Sequence, residues 1–139
     1  LAAGLGHGGV VQLLLEKRAN VNLHSHDGRT PLYVATSGGH REIVQQLLDE
    51  GARVDLKTLH GGGTPLHRAS EHGHSAIVHV LLDKGAAVNL ATDFGYVALH
   101  FATEHGSTPL LFASQGGHGA VVQQLLAKGA AVNLTTSDG

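Results

Sequence analysis

The chain has 139 residues with no cysteine, no methionine and no tryptophan, and a formal charge of −2 with its twelve histidines neutral. No disulfide framework or thiolate site is therefore available, and Lys and Arg form no cluster of the kind that marks nucleic-acid binding. No apolar run approaches the roughly 20 residues of a membrane span, and no signal-peptide pattern is present.

In chain order, the first feature is a partial unit over residues 1–27. Leu1-Ala2-Ala3 aligns with Val34-Ala35-Thr36, so the chain begins inside a short helix. Arg18 stands where the later copies of this unit carry a helix-closing glycine, a replacement costing up to about 1 kcal/mol if the left-handed conformation is kept. A full unit follows over 28–61. Thr30 is placed to cap a helix with its hydroxyl, and Pro31 suits the first helical position. Leu32 and Ala35 point toward a core, and Gly38-Gly39 stops the helix in a tight turn. In a second helix Ile43, Val44, Leu47 and Leu48 make a broad apolar face. Gly51 closes that helix, Val54 plugs the core, and Asp55 is expected to bond local backbone in a turn.

The same order recurs over 62–94 from Thr64-Pro65-Leu66, and over 107–139 from Thr108-Pro109-Leu110. Self-similarity at about 33 residues is the signature of stacked units, none of which buries its apolar face alone. The spacing breaks once. Val97-Ala98-Leu99-His100 is a degenerate anchor close before Thr108, so 95–106 reads as a truncated unit without a second helix or a Thr cap. Three extended residues span at most about 11 Å. That is too short to carry the chain back along one first helix and across to the next. Residues are therefore expected to be missing between about Gly106 and Ser107; in a continuous chain the stack is distorted there.

These motifs, Thr-Pro-Leu-His, Gly-His, Ile/Val-Val, Leu-Leu, Gly-Ala and Val-Asn in order, resemble the ankyrin repeat family over nearly the whole chain. Thr64-Pro65-Leu66-His67 matches the four-residue motif completely, while Tyr33 and Leu111 depart from its histidine. The resemblance implies an all-α solenoid of helix-turn-helix units with projecting β-hairpin loops, of about four to five repeats. It also implies a non-enzymatic scaffold that binds a protein or peptide on its concave face. The absence of Met and of clear capping units suggests an interior slice of a longer array. A monomer without cofactor, nucleic acid or membrane insertion is expected, and an intracellular setting is favoured.

The residues expected to contact the partner are those where the copies disagree. At the loop tips they are His26, Asp27, Arg29, His60, Asp93, Phe94 and Tyr96. Along the first helices they are Tyr33, Ser37, Arg68, Glu71, His72, Glu104, His105 and Gln115. Phe94, Tyr96 and Tyr33 supply aromatic anchors. The histidines make affinity vary between about pH 5.5 and 7.5, since free imidazole titrates near 6.5.

Other chemistry finds less support. His40, His74 and His118 occupy one recurring slot, as does His7, and most other histidines sit in loops, so no metal site is expected. No nucleophile is accompanied by a base and an orienting group, and "GLGHGG" and "HGGGT" lack the Lys-Ser/Thr of a phosphate loop. The "KTLHGGG" loop carries one extra residue, which predicts a wider tip.

Overall fold

The computed structural model describes residues 1–93 and 108–132. Seven helices form there: α1 (Gly8–Glu16), α2 (Pro31–Ser37), α3 (Arg41–Asp49), α4 (Pro65–Glu71), α5 (Ser75–Asp83), α6 (Pro109–Gln115) and α7 (Gly119–Ala127). The short helices α2, α4 and α6 stack on one another in one layer. The nine-residue helices α1, α3, α5 and α7 stack in a second layer against it. No strand is formed among the described residues, so the expected hairpin projections are hydrogen-bonded turns.

Local chemistry starts and stops each helix. Thr30, Thr64 and Thr108 precede α2, α4 and α6 in extended backbone, and each hydroxyl accepts the backbone N–H three residues on. Proline takes the first turn in all three, where its missing N–H costs nothing. At Thr64 the cap is reciprocal, because His67 Nδ1 accepts the Thr64 backbone N–H at 3.2 Å. Seven residues are too few to hold a helix in water. What holds these is the apolar side they share with neighbours: Leu32, Ala35, Leu66, Ala69 and Ala113 are fully buried.

The second helices close on left-handed glycines, with φ of 84° at Gly51, 85° at Gly85 and 84° at Gly129. Arg18, in the same slot after α1, keeps that conformation with φ of 59°. It therefore carries the Cβ crowding that its neighbours avoid.

Three sets of contacts repeat from unit to unit. The apolar faces of α3 and α5 are buried on both sides, at Ile43, Val44, Leu47 and Leu48 and again at Ile77, Val78, Leu81 and Leu82. At the far ends of these helices, Lys84 Nζ reaches Asp49 at 2.7 Å and Lys128 Nζ reaches Asp83 at 3.4 Å. The third set corrects the local role expected of Asp55, whose carboxylate accepts the backbone N–H of Ala87 in the following unit at 3.1 Å. Asn22 Oδ1 accepts Arg53 N–H at 2.8 Å, and Asn89 Oδ1 accepts Ala131 N–H at 2.8 Å. The amide nitrogens of both asparagines donate onward, to the carbonyls of Gly51 and Gly129. The Val-Asn/Asp position thus ties each unit to the next.

The truncated unit 95–106 and the Gly106–Ser107 link lie outside the described residues. On either side of them α4 packs directly on α6 and α5 on α7, so the long interval from Thr64 to Thr108 spans one step of the stack. The Asn89–Ala131 bond is the counterpart of Asn22–Arg53 across that step.

Two substitutions probe this frame. Arg18→Gly is expected to raise unfolding free energy by up to about 1 kcal/mol in urea titration, by removing the Cβ from a left-handed residue. Asn89→Ala is expected to lower it by about 1–2 kcal/mol, since two inter-unit hydrogen bonds are lost.

Candidate partner-binding face

The tips of the loops are built as a ladder of their own. Ser25 N–H bonds the Arg29 carbonyl at 3.0 Å and Thr58 N–H bonds the Gly63 carbonyl at 3.0 Å, closing two turns. Between units, Leu59 N–H donates to the Asp27 carbonyl at 3.1 Å and Asp93 N–H to that of Gly61 at 3.2 Å. The extra residue in the second tip is absorbed by consecutive left-handed glycines, Gly61 and Gly62. Gly62 takes a left-handed φ of 64°, and a Cβ there would lie 2.4 Å from the Asp93 carboxylate, which would have to swing aside.

Charges line this ladder in pairs. Arg29 Nε meets Asp27 Oδ2 at 2.8 Å, and Lys57 Nζ meets Asp93 Oδ1 at 2.7 Å. The Ser25 hydroxyl bonded to Asp27, more than the Arg29 charge, lowers that carboxyl below its ordinary value. His26 and His60 are exposed beside them. Lys57 was not among the expected contacts; its only signal in the sequence is a cation in the one loop that is longer than the rest.

Along the first helices the expected contacts divide. Tyr33 is 4 % exposed, so it offers no free aromatic surface and is corrected from anchor to support. Its hydroxyl accepts a hydrogen bond from Arg68 Nε, and the guanidinium lies 5.5 Å from the ring centroid. Arg68 NH1 also meets Glu71 at 2.5 Å. Burial opposes the Arg68 charge, but the tyrosine and the glutamate outweigh it and raise the guanidinium above its usual value. Arg68 is half-buried, Glu71, His72 and Gln115 are exposed, and Ser37 is half-buried at the end of α2. Phe94, Tyr96, Glu104 and His105 lie outside the described residues.

Behind this row runs a file of histidines. Each starts a second helix and reaches back to the previous unit. His40 Nε2 lies 3.2 Å from the Gly4 carbonyl and His118 Nε2 lies 2.9 Å from that of Glu71; the Ser37 carbonyl acts on His74, whose buried Nε2 makes no hydrogen bond among the described residues. These turns carry glycine at a left-handed φ, and a Cβ at Gly6 or Gly73 would also come within 3 Å of the next ring, with Gly39 tight at 3.0 Å. His72 stacks on His74 with centroids 5.6 Å apart. Burial first, then the facing His72, His118 and His40, lower the His74 pKa, against the opposing effect of the Ser37 carbonyl. Among the described residues no group of three or more His, Cys, Asp or Glu is arranged to hold a metal ion. No described helix is long and apolar enough to cross a membrane.

A cleft of about 850 Å³ opens away from the centre of this face, at the N-terminal end of the stack. Leu1, Leu14, Leu15, Val34 and Leu47 line it, together with Asp27 and Arg29.

Comparison with known proteins agrees with this architecture. A family model described as ankyrin repeats (3 copies) matches residues 1–92 and 59–136. The human ankyrin repeat and KH domain-containing protein 1 is 47% identical over 55 residues, which are 40% of this chain and 2% of that protein. A probable E3 ubiquitin-protein ligase of Oryza sativa subsp. japonica, XBOS33, is 51% identical over 47 residues, 34% of this chain and 9% of that protein. Mouse Rabankyrin-5 is 50% identical over 48 residues, 34% of this chain and 4% of that protein. The chain thus spans less than a tenth of the length of each of these three relatives.

The histidine file has a signed consequence. A His74 pKa below that of the unfolded chain, near 6.5, means that the unfolded state takes up the proton first as pH falls. Its contribution to stability is present above about pH 6.5 and is lost as pH falls below it, until the folded imidazole also protonates. The thermal midpoint is expected to drop between pH 7 and 5, and His74→Gln to flatten that profile in melting curves taken across this range.

Proposed function

The chain belongs to the ankyrin repeat family, and from that premise we propose that it holds a protein or peptide on the face formed by its loop tips and first helices. Ankyrin repeats are protein-interaction modules and the family is typically a non-enzymatic scaffold. The finer reading is this face and its residues. His26, Asp27, Arg29, His60 and Asp93 contact the partner from the tips, and Ser37, Arg68, Glu71, His72 and Gln115 from the helices. Tyr33 holds Arg68 in place. Phe94, Tyr96, Glu104 and His105 complete the proposed set. The observation carrying the reading is the tip ladder, Leu59 to Asp27 and Asp93 to Gly61, which steps differing exposed side chains along one edge at fixed register.

The proposed division is one array over 1–139. A partial repeat spans 1–27, repeats span 28–61, 62–94 and 107–139, and 95–106 is a truncated repeat. The paired charges suit a polar, mixed-charge partner surface. Exposed pairs hold one another by only about 1 kcal/mol or less, so a partner exchanges them at little cost. A second reading is a spacer segment within a larger protein, favoured by the small share of its relatives that the chain spans.

Affinity capture with the chain separates the two. The triple variant Arg29→Ala, Arg68→Ala and Glu71→Ala is expected to lose a captured protein with affinity reduced about tenfold or more, about 1.4 kcal/mol. Glu42→Ala on α3 is expected to retain it. Equal retention by both variants removes the proposed face, and capture of nothing above background favours the spacer.

A further inference from the structure

The histidines that start the second helices do not all make the same contact. His40 and His118 each set Nε2 against a carbonyl of the preceding unit, 3.2 Å from that of Gly4 and 2.9 Å from that of Glu71. His74 holds the same slot, yet its Nε2 is buried and makes no hydrogen bond among the described residues. The difference lies two residues earlier. Gly38 and Gly116 stand there before His40 and His118, and a Cβ on them would lie 2.6 Å and 2.5 Å from the ring that follows, closer than such carbons come. Before His74 the residue is His72. Its side chain takes the place in which the other two rings seat. The His74 ring lies flat against it instead, with centroids 5.6 Å apart and planes inclined by 13°.

A ring seated on a carbonyl keeps its bond as a cation, because a charged imidazole donates from both nitrogens. A charged His74 also carries an N–H at Nε2, where it finds no acceptor, and a buried donor left unpaired is costly. The groups around it supply no compensating charge. His72 lies on its face, His118 approaches from the start of α7 and His40 from the start of α3, and all three oppose a positive charge on it. The Ser37 carbonyl at the end of α2 acts the other way. On α4 the Glu71 carboxylate meets Arg68, and His72 Nδ1 lies 2.9 Å from the Arg68 carbonyl. On α5 Asp83 meets His79 and Lys128, and α6 carries no titratable side chain. Among the described residues no carboxylate forms an ion pair with either stacked ring.

We propose that the turn between α4 and α5 is an acid-opened hinge: when the stacked His72–His74 pair takes up charge it parts, and both junctions of the 62–94 unit loosen. The turn is where each junction is fastened. The His74 ring packs over Gly39 of the preceding unit, so a ring that leaves gives up that contact. The His118 ring of the following unit packs over Gly73 and bonds the Glu71 carbonyl, so a turn that shifts gives up that one. The turns from α2 to α3 and from α6 to α7 carry glycine in place of His72, hold no such pair and stay closed. The closed turn resists the proton that the open one accepts, which is why acid favours opening. The hinge belongs to the stack itself and does not rest on the proposed partner face.

Amide hydrogen exchange on the whole chain at about pH 7.5 and about pH 5.5, corrected for the pH dependence of exchange itself, reads the hinge locally. The reporters are the His74 and Val78 amides, which donate to the Ala69 and His74 carbonyls. The reference is the His40 and Val44 amides, which donate to those of Ala35 and His40. Protection at the reporters is expected to fall about tenfold or more relative to the reference. That is the effect of one imidazole titrating near pH 6.5 in the open turn and staying neutral in the closed one. His72→Gly restores the seat, and His74→Phe keeps a stacked ring that takes no proton; each is expected to remove the relative loss. Far-ultraviolet circular dichroism checks that both variants keep their helix. Protection that does not change with pH, or that falls equally at reporters and reference, overturns the proposal. So does a relative loss that persists in full in either folded variant.

Discussion

No unit of this chain makes enough buried surface to hold itself together, and that constraint governs everything else in the structure. Each contributes a seven-residue helix and a nine-residue helix, with apolar faces that look both backward and forward along the stack. Stability then lies in the junctions as much as in the units, in the nearest-neighbour manner of linear arrays. The side chains that complete a junction are few. A histidine reaches back to a carbonyl, an asparagine or aspartate reaches forward to an N–H, and the Lys–Asp pair adds a weaker exposed tie.

The same constraint explains where glycine is needed. Gly39 and Gly73 must lack a Cβ twice over: their φ is positive, and the next histidine ring occupies the space a side chain would take. Arg18 shows the first requirement relaxed in a slot where no neighbouring ring presses. Function grows from the junction geometry too. Once the units are locked in register, their loop tips are locked as well, and residues free to differ between copies appear at regular steps along one edge. On the proposed reading, a rigid face of this kind loses little conformational freedom when a partner arrives, which is the advantage of preorganisation.

Much of the fold was legible in the residues. The Thr-Pro starts of α2, α4 and α6 and the glycine closures of α3, α5 and α7 depend on contacts within a few residues, and such contacts leave local motifs. The candidate face was less legible. Tyr33 sits in the slot held by His67 in the next copy, and nothing local says that Arg68 from the following unit will cover it. Asp55 carries a turn-former's chemistry, yet its acceptor oxygens are spent on Ala87, because the turn brings that N–H within reach only after the units have stacked.

The sequence by itself determined the unit, its two helices, their caps and the apolar stripes, since these follow from side-chain periodicity and from backbone preferences at single positions. It also determined that the units must stack, because their repeated apolar faces exceed what one unit can bury. Only the tertiary structure decided which units are neighbours: α4 meets α6 across the irregular interval, a choice made by complementary surfaces far apart in the chain. It likewise decided which way each apolar face looks along the stack. Adjacency and direction are relations between units, and no single unit carries them in its own residues.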